Sequence, residues 1–148
     1  MPLMRTGLVI VDHGSRRAES NTLLEAFAAE FAARGVYDIV EAAHMELAEP
    51  TIGEAFDRCV ERGAEAVVVC PFFLLPGNHW RRDIPELTAE AAGRHPGVEW
   101  LVTAPIGLHP LMGDVLAATV EGCLAAAEDG GARCRACGAD AAAACVWR

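Results

Sequence analysis

Leu8-Val9-Ile10-Val11, running into Asp12-His13-Gly14-Ser15, decides the fold. An apolar run that ends in a polar, glycine-bearing loop predicts a strand and a tight turn, and Leu24, Phe27, Ala28 and Phe31 then recur at helical spacing. The first unit is a strand, a loop and an amphipathic helix ending near Gly35. Outward from it the pattern repeats. Tyr37 to Met45 is a second apolar stretch, leading through Glu46-Leu47-Ala48-Glu49-Pro50 to Thr51 and Glu54, a T-x-x-E capping box. Ile52, Ala55, Phe56, Cys59 and Val60 mark the inner face of the helix that follows. Ala66 to Cys70 predicts the third strand, and Pro71 to Gly77 connects it to a helix whose start is signalled by Asp83 and Pro85. Val98 to Val102 predicts the fourth strand. A last helix runs from about Pro110 to Ala127, with Leu116, Thr119, Val120, Cys123 and Leu124 on one face. Strands alternating with helices at this pitch predict an α/β domain with a four-stranded parallel sheet. Ligands of such sheets bind at the carboxyl ends of the strands, which directs attention to the first three loops.

Composition narrows the chemistry. The 148 residues suit one compact domain, and 53% hydrophobic content supplies its core without disulfides. All 12 basic residues are arginine, which excludes P-loop nucleotide chemistry, Schiff-base catalysis and lysine general bases. A net charge of -9 without a basic block argues against nucleic acid and anionic membrane as partners. An anionic ligand must find a local arginine cluster. No apolar run approaches the length of a membrane span or a signal-peptide core, so a soluble protein is expected, and its compartment is not readable from the N-terminus.

The three loops hold His13, Glu46 and His79, spaced by 33 and 33 residues, so each comes from a successive strand end. Two imidazoles and a carboxylate suit a divalent first-row metal, and neutral imidazole also accepts protons near physiological pH. Arg16 and Arg17 follow His13, and Arg81 and Arg82 follow His79. Helix N-termini disfavour cations, so arginine pairs there imply a compensating anion. Gly14, Ser15, Gly77 and Asn78 supply flexible backbone and small donors, and Trp80 beside His79 is the candidate pocket wall. The pattern describes a polyanionic, planar ligand held over a histidine pair and a carboxylate. Phe72 and Phe73 are placed for stacking on such a ligand or for the core. By alternation His44 shares a face with Glu46, in position to support it. His95, before Pro96, reads as exposed loop, and His109 reads as a cap of the last helix or a supporting group in the pocket.

These residues resemble the small sirohydrochlorin chelatases, the CbiX and SirB type of class II chelatase. The resemblance rests on Asp12-His13-Gly14-Ser15-Arg16, on Ala43-His44-Met45-Glu46-Leu47-Ala48-Glu49-Pro50, on Pro71-Phe72-Phe73-Leu74 with Gly77-Asn78-His79 and Asp83-Ile84-Pro85, and more weakly on Gly107-Leu108-His109-Pro110-Leu111. It implies a chelatase-like, flavodoxin/Rossmann-like three-layer domain that inserts a divalent metal into a tetrapyrrole without ATP. His13 and His79 would bind the metal and accept pyrrole protons, with Glu46 assisting. Ser15, Arg16, Arg17, Asn78, Trp80, Arg81 and Arg82 would meet the polycarboxylate macrocycle. Fe²⁺ insertion into sirohydrochlorin is the first expectation, Co²⁺ insertion for cobalamin the alternative, and a noncatalytic metal or tetrapyrrole carrier the third. One domain offers half the walls of the larger two-lobed chelatases, so a homodimer is expected. The compartment implied is the plastid stroma for a plant or algal member and the cytoplasm for a bacterial one.

Six cysteines remain. Cys59 and Cys70 read as core thiols. Cys134 and Cys137 form a C-x-x-C with Cys145 eight residues beyond, in a segment that follows Gly130-Gly131 and contains the run Ala141 to Ala144. Residues 1–128 are thus expected to form the chelatase domain and 129–148 a cysteine-containing tail. Thiolates at this spacing suit zinc or an iron-sulfur cluster, and redox-active thiols without a cluster are the alternative. The resemblance to plant and algal members implies a 2Fe-2S cluster, with Cys123 or a second subunit giving the fourth ligand.

Overall fold

The computed structural model describes residues 4–128. In chain order the elements are β1 (Thr6–Asp12), α1 (Ala18–Ala33), β2 (Ile39–His44), α2 (Ile52–Glu61), β3 (Ala66–Pro71), a π-helical turn (His79–Asp83), α3 (Ile84–Gly93), β4 (Glu99–Val102), a 3-10 turn (Ile106–Leu108) and α4 (Met112–Glu128). The strands form one parallel sheet in the order β2-β1-β3-β4. The expected α/β architecture is thus present.

β1 is central because both its faces are apolar. Val9 and Val11 point to one side, where Ile52, Ala55, Phe56 and Cys59 of α2 and Ile84 and Ala91 of α3 close over them. Leu8 and Ile10 point to the other, against Leu24 and Ala28 of α1. The result is helix, sheet and helix layers around two apolar clusters. Each large side chain so buried contributes about 1.5–3 kcal/mol. Cys59 is fully buried, as expected of a core thiol, and burial pushes its thiol up to about 12. At the head of α2 the capping box forms in both directions: Glu54 N–H donates to Thr51 Oγ1 at 3.2 Å and Thr51 N–H to Glu54 Oε2 at 3.1 Å.

Two local readings change. His95 is not an exposed loop residue: its side chain is 22% exposed, its ring stacks on Phe56 with centroids 5.8 Å apart, and Nε2 lies 2.6 Å from Asp57 Oδ1. The partner is on α2, 38 residues earlier, where no local pattern points to it. Burial works to raise the Asp57 carboxyl, but the hydrogen bonds from His95 and Arg94 outweigh it and hold Asp57 below the usual range. The second change concerns α4, whose Leu116, Val120 and Leu124 are exposed. Packing divides the chain into compact units at Leu108 and His109, and α4 belongs to the second. Among the described residues no helix is long and apolar enough to cross a membrane. Cys134, Cys137 and Cys145, with the expected division after residue 128, lie outside the described residues.

Candidate active site

The backbone brings His13 and Glu46 together. Parallel register sets Asp12 opposite His44, and the pairing continues past the strand ends: Met45 N–H donates to Asp12 O at 2.9 Å and Glu46 N–H to His13 O at 3.1 Å. Gly14 then turns away with φ 90, its Cα packed against the carbonyl of Glu46 so closely that a Cβ would overlap it. Leu47 lies in left-handed backbone, φ 66, where the second loop reverses towards α2.

His79 arrives from β3 on the π-helical turn. Residues four apart on helical winding are neighbours, so His79 and Asp83 meet, and Nδ1 lies 2.8 Å from Asp83 Oδ2. A carboxylate only accepts, so His79 Nδ1 carries the proton. The Asp83 carboxyl is held below its ordinary range chiefly by this hydrogen bond. His13 Nδ1 lies 3.3 Å from the carbonyl of Gly14, which likewise only accepts. In the neutral rings both Nε2 atoms therefore present lone pairs.

Those lone pairs face each other. His13 Nε2 and His79 Nε2 are 3.2 Å apart, and Glu46 Oε1 lies 3.4 Å from His13 Nε2. Three electron-pair donors at such separations repel unless a proton or a cation lies among them. Two nitrogens each about 2.1 Å from one shared cation, at roughly 90–110°, would themselves stand about 3.0–3.4 Å apart. The 3.2 Å spacing falls within that range, so the two rings could hold one metal between them. Glu46 approaches His13 alone, so the described residues make a two-nitrogen site flanked by a carboxylate, and not a closed three-ligand cage. The side chains of His13, His79 and Glu46 are each about half exposed. A bulky partner can reach them.

Around this centre Arg16, Arg17 and Arg81 are exposed and have no acidic partner among the described residues, whereas Arg82 Nε donates to Asp83 at 3.4 Å. Ser15 Oγ accepts from Arg17 N–H, and Ser15 is braced by Asn21, whose side chain bonds both its N–H and its carbonyl. Asn78 is exposed. The Trp80 indole N–H donates to Thr103 O at 2.9 Å, which ties the His79 segment to the loop after β4. Phe72 packs on Phe27 and Phe73 on the core. A cavity of about 380 Å³ beside the site is lined by Met45, Glu46, Asp83, Glu86, Leu87 and Glu90. Its carboxylates favour an approaching cation.

Sequence reasoning missed the partners of two residues. Asp83 was read only as a helix start, although its i+4 relation to His79 was visible. His44 is fully buried between Asp12 and Glu25, a clamp that joins three elements. Burial opposes its charge, but the hydrogen bonds to Asp12 and Glu25 prevail and raise its pKa.

The chain is 53% identical over 131 residues to the chloroplastic sirohydrochlorin ferrochelatase of Arabidopsis thaliana, covering 88% of this chain and 58% of that protein. It is 46% identical over 80 residues to the sirohydrochlorin cobaltochelatase of Methanococcus maripaludis, covering 54% of this chain and 56% of that one. The solved structure of SirB from Bacillus subtilis with Fe³⁺ matches with a TM-score of 0.70 at 31% identity, over 86% of this chain and 48% of SirB. The chain thus spans less than two thirds of the length of each. The CbiX family model matches residues 7–123, from β1 into α4, and so takes in every strand of the sheet and the whole histidine site: the chain belongs to the CbiX family.

Proposed function

We propose that this protein inserts Fe²⁺ into sirohydrochlorin without ATP, forming sirohaem. The carrying observation is that His13 Nε2 faces His79 Nε2 with Glu46 Oε1 beside His13, and that both imidazoles are oriented from behind by acceptors at Nδ1. Insertion exchanges a divalent cation for two pyrrole protons, so the site must hold the metal exchangeably and accept protons. His13 and His79 hold Fe²⁺ while it sheds water. The macrocycle then takes over its coordination, and the two protons leave to Glu46 and the freed imidazoles. Exposed Arg16, Arg17 and Arg81 meet the carboxylates of the macrocycle, with Arg82 beside them and Ser15, Asn78 and Trp80 shaping the rim. The Arabidopsis relative's name supports iron.

Cobalt is the second reading, favoured by the name of the Methanococcus relative, since two imidazoles do not select between the metals. Anaerobic turnover of sirohydrochlorin with Fe²⁺ and with Co²⁺ at equal protein, followed by absorbance, separates them. Faster insertion of Fe²⁺ is expected. Insertion of Co²⁺ alone would make the protein a cobaltochelatase, and metal binding without insertion would make it a carrier.

The division into a chelatase domain, 1–128, and a cysteine tail, 129–148, belongs to the same reading. So does a 2Fe-2S cluster on Cys134, Cys137 and Cys145, with Cys123 of α4 as fourth ligand; it is supported by the C-x-x-C spacing and by thiolate chemistry. Anaerobically purified protein is expected to carry iron and sulfide and a visible charge-transfer spectrum that Cys134→Ser with Cys137→Ser removes. Stoichiometric zinc alone would overturn the cluster. A homodimer is part of the same proposal: a second copy of the domain would supply the facing walls of the site. The chloroplastic relative supports the plastid stroma for a plant or algal source.

A further inference from the structure

We propose that His44 is a positioning residue for metal insertion, setting the placement of His13 against Glu46 by clamping Asp12 and Glu25 from inside the core. The inference rests on the metal-insertion reading above and names a group that touches neither metal nor macrocycle.

His44 is the last residue of β2 and is 0% exposed. Its Nδ1 lies 2.7 Å from Asp12 Oδ1 and its Nε2 lies 3.2 Å from Glu25 Oε1. Both acceptors are carboxylates, so both ring nitrogens must donate. A core position between apolar strands would be filled as well by leucine; a doubly donating ring costs desolvation that only its two partners offset. What the ring adds is a choice of arrangement. Asp12 and Glu25 have side chains 23% and 43% exposed, and without His44 each can turn to water.

The clamp lies one residue from the chemistry on one strand and two on the other. Asp12 precedes His13, and His44 precedes Met45 and Glu46. Backbone bonds cross the same step, from Met45 N–H to Asp12 O and from Glu46 N–H to His13 O, while His44 N–H donates to Pro50 O at 2.8 Å. The His44–Asp12 pair is a side-chain rung added to that ladder, and Glu25 extends it to α1, the helix entered through Arg16 and Arg17. Loss of the rung lets the first loop shift against the second. The separation at stake is the 3.4 Å between His13 Nε2 and Glu46 Oε1.

The test uses the full chain with His44→Leu, which removes both donors, and His44→Gln, which keeps an amide donor. Far-UV circular dichroism reports the fold. Co²⁺ titration, read by its visible ligand-field band, reports the site without turnover, and steady-state insertion gives kcat and the sirohydrochlorin KM. A displacement of about 1 Å at a reacting centre can cost about 100-fold in rate. Folded His44→Leu is expected to show a shifted ligand-field band, Co²⁺ affinity about 10-fold weaker or more, and kcat about 10–100-fold lower, with KM within roughly twofold; His44→Gln falls between. A folded leucine variant with the wild-type band and kcat overturns the proposal. Where the leucine variant does not fold, His44→Gln and Asp12→Asn are read on the same measurements, and lowered stability with unchanged band and kcat is the overturning result. If His13→Ala and His79→Ala also leave the Co²⁺ band unchanged, it is the metal-site reading that falls.

Discussion

His79→Ala is expected to lower metal insertion by roughly 10²–10⁴-fold, the range set by loss of a positioned acid-base group, while leaving the fold intact. The side chain is 47% exposed and contributes no core packing, so its removal should change stability by about 0.5 kcal/mol or less. It deletes one of two nitrogens that converge on the same point, and His13→Ala deletes the other. Asp83→Asn tests the orientation of the ring: the amide can still accept from Nδ1–H but carries no charge, and a loss of about 10–100-fold is expected. Anaerobic absorbance assays of insertion, with thermal melts on the same samples, check all three. The proposal ends if the double histidine variant inserts metal at the wild-type rate. In His79→Ala the Asp83 carboxyl, now held low chiefly by His79, should also titrate closer to its ordinary range, which carboxyl chemical shifts would report.

What the chain order reveals and what it hides divide along the range of the interactions. β1, the capping box and the inner face of α2 are set by residues within a few positions of one another, and they appear where periodicity and capping chemistry place them, whereas on α1 Leu24 and Ala28 are buried and Phe27 is exposed. Equal spacing of His13, Glu46 and His79 is itself a product of the repeating strand-helix unit, so their meeting at one sheet edge could be inferred from topology. Their 3.2 and 3.4 Å contacts could not, because those depend on how three loops turn. The π-helical turn shows the difference within one segment. Asp83 and Pro85 mark a helix start that leaves His79 outside it; the π-helical turn carries the winding back to His79 and makes the two residues i,i+4 neighbours. The partners of His44 and His95 were hidden for a further reason. Each histidine is bound to carboxylates on elements 19 to 38 residues away, and each burial depends on that pairing. Hydropathy patterns rate such residues as exposed until the partner is known.

Gly14→Ala is expected to damage both stability and metal insertion. Two separate costs meet at this position. With φ 90 the backbone occupies a region that L-residues enter at about 1–3 kcal/mol. A Cβ built there would also overlap the Glu46 carbonyl and crowd the His44 Cβ at 3.2 Å, and neither neighbour is the free end of a flexible side chain. The first loop must then move away from the second, against the bond from Glu46 N–H to His13 O. Such movement separates His13 from Glu46, and a misplacement of about 1 Å at a reacting centre can cost about 100-fold. Insertion is therefore expected to fall by about 100-fold or more, with stability lower by about 3 kcal/mol. Gly35→Ala is the control, because φ is 70 there but nothing lies within 4 Å of an added Cβ. It carries the backbone cost alone, about 1 kcal/mol, and should leave insertion unchanged. Melting curves and insertion assays on the two variants separate backbone strain from loop displacement. Equal losses of stability in both, with wild-type insertion in Gly14→Ala, would show that the close approach of the two loops does not set the geometry of the histidine site.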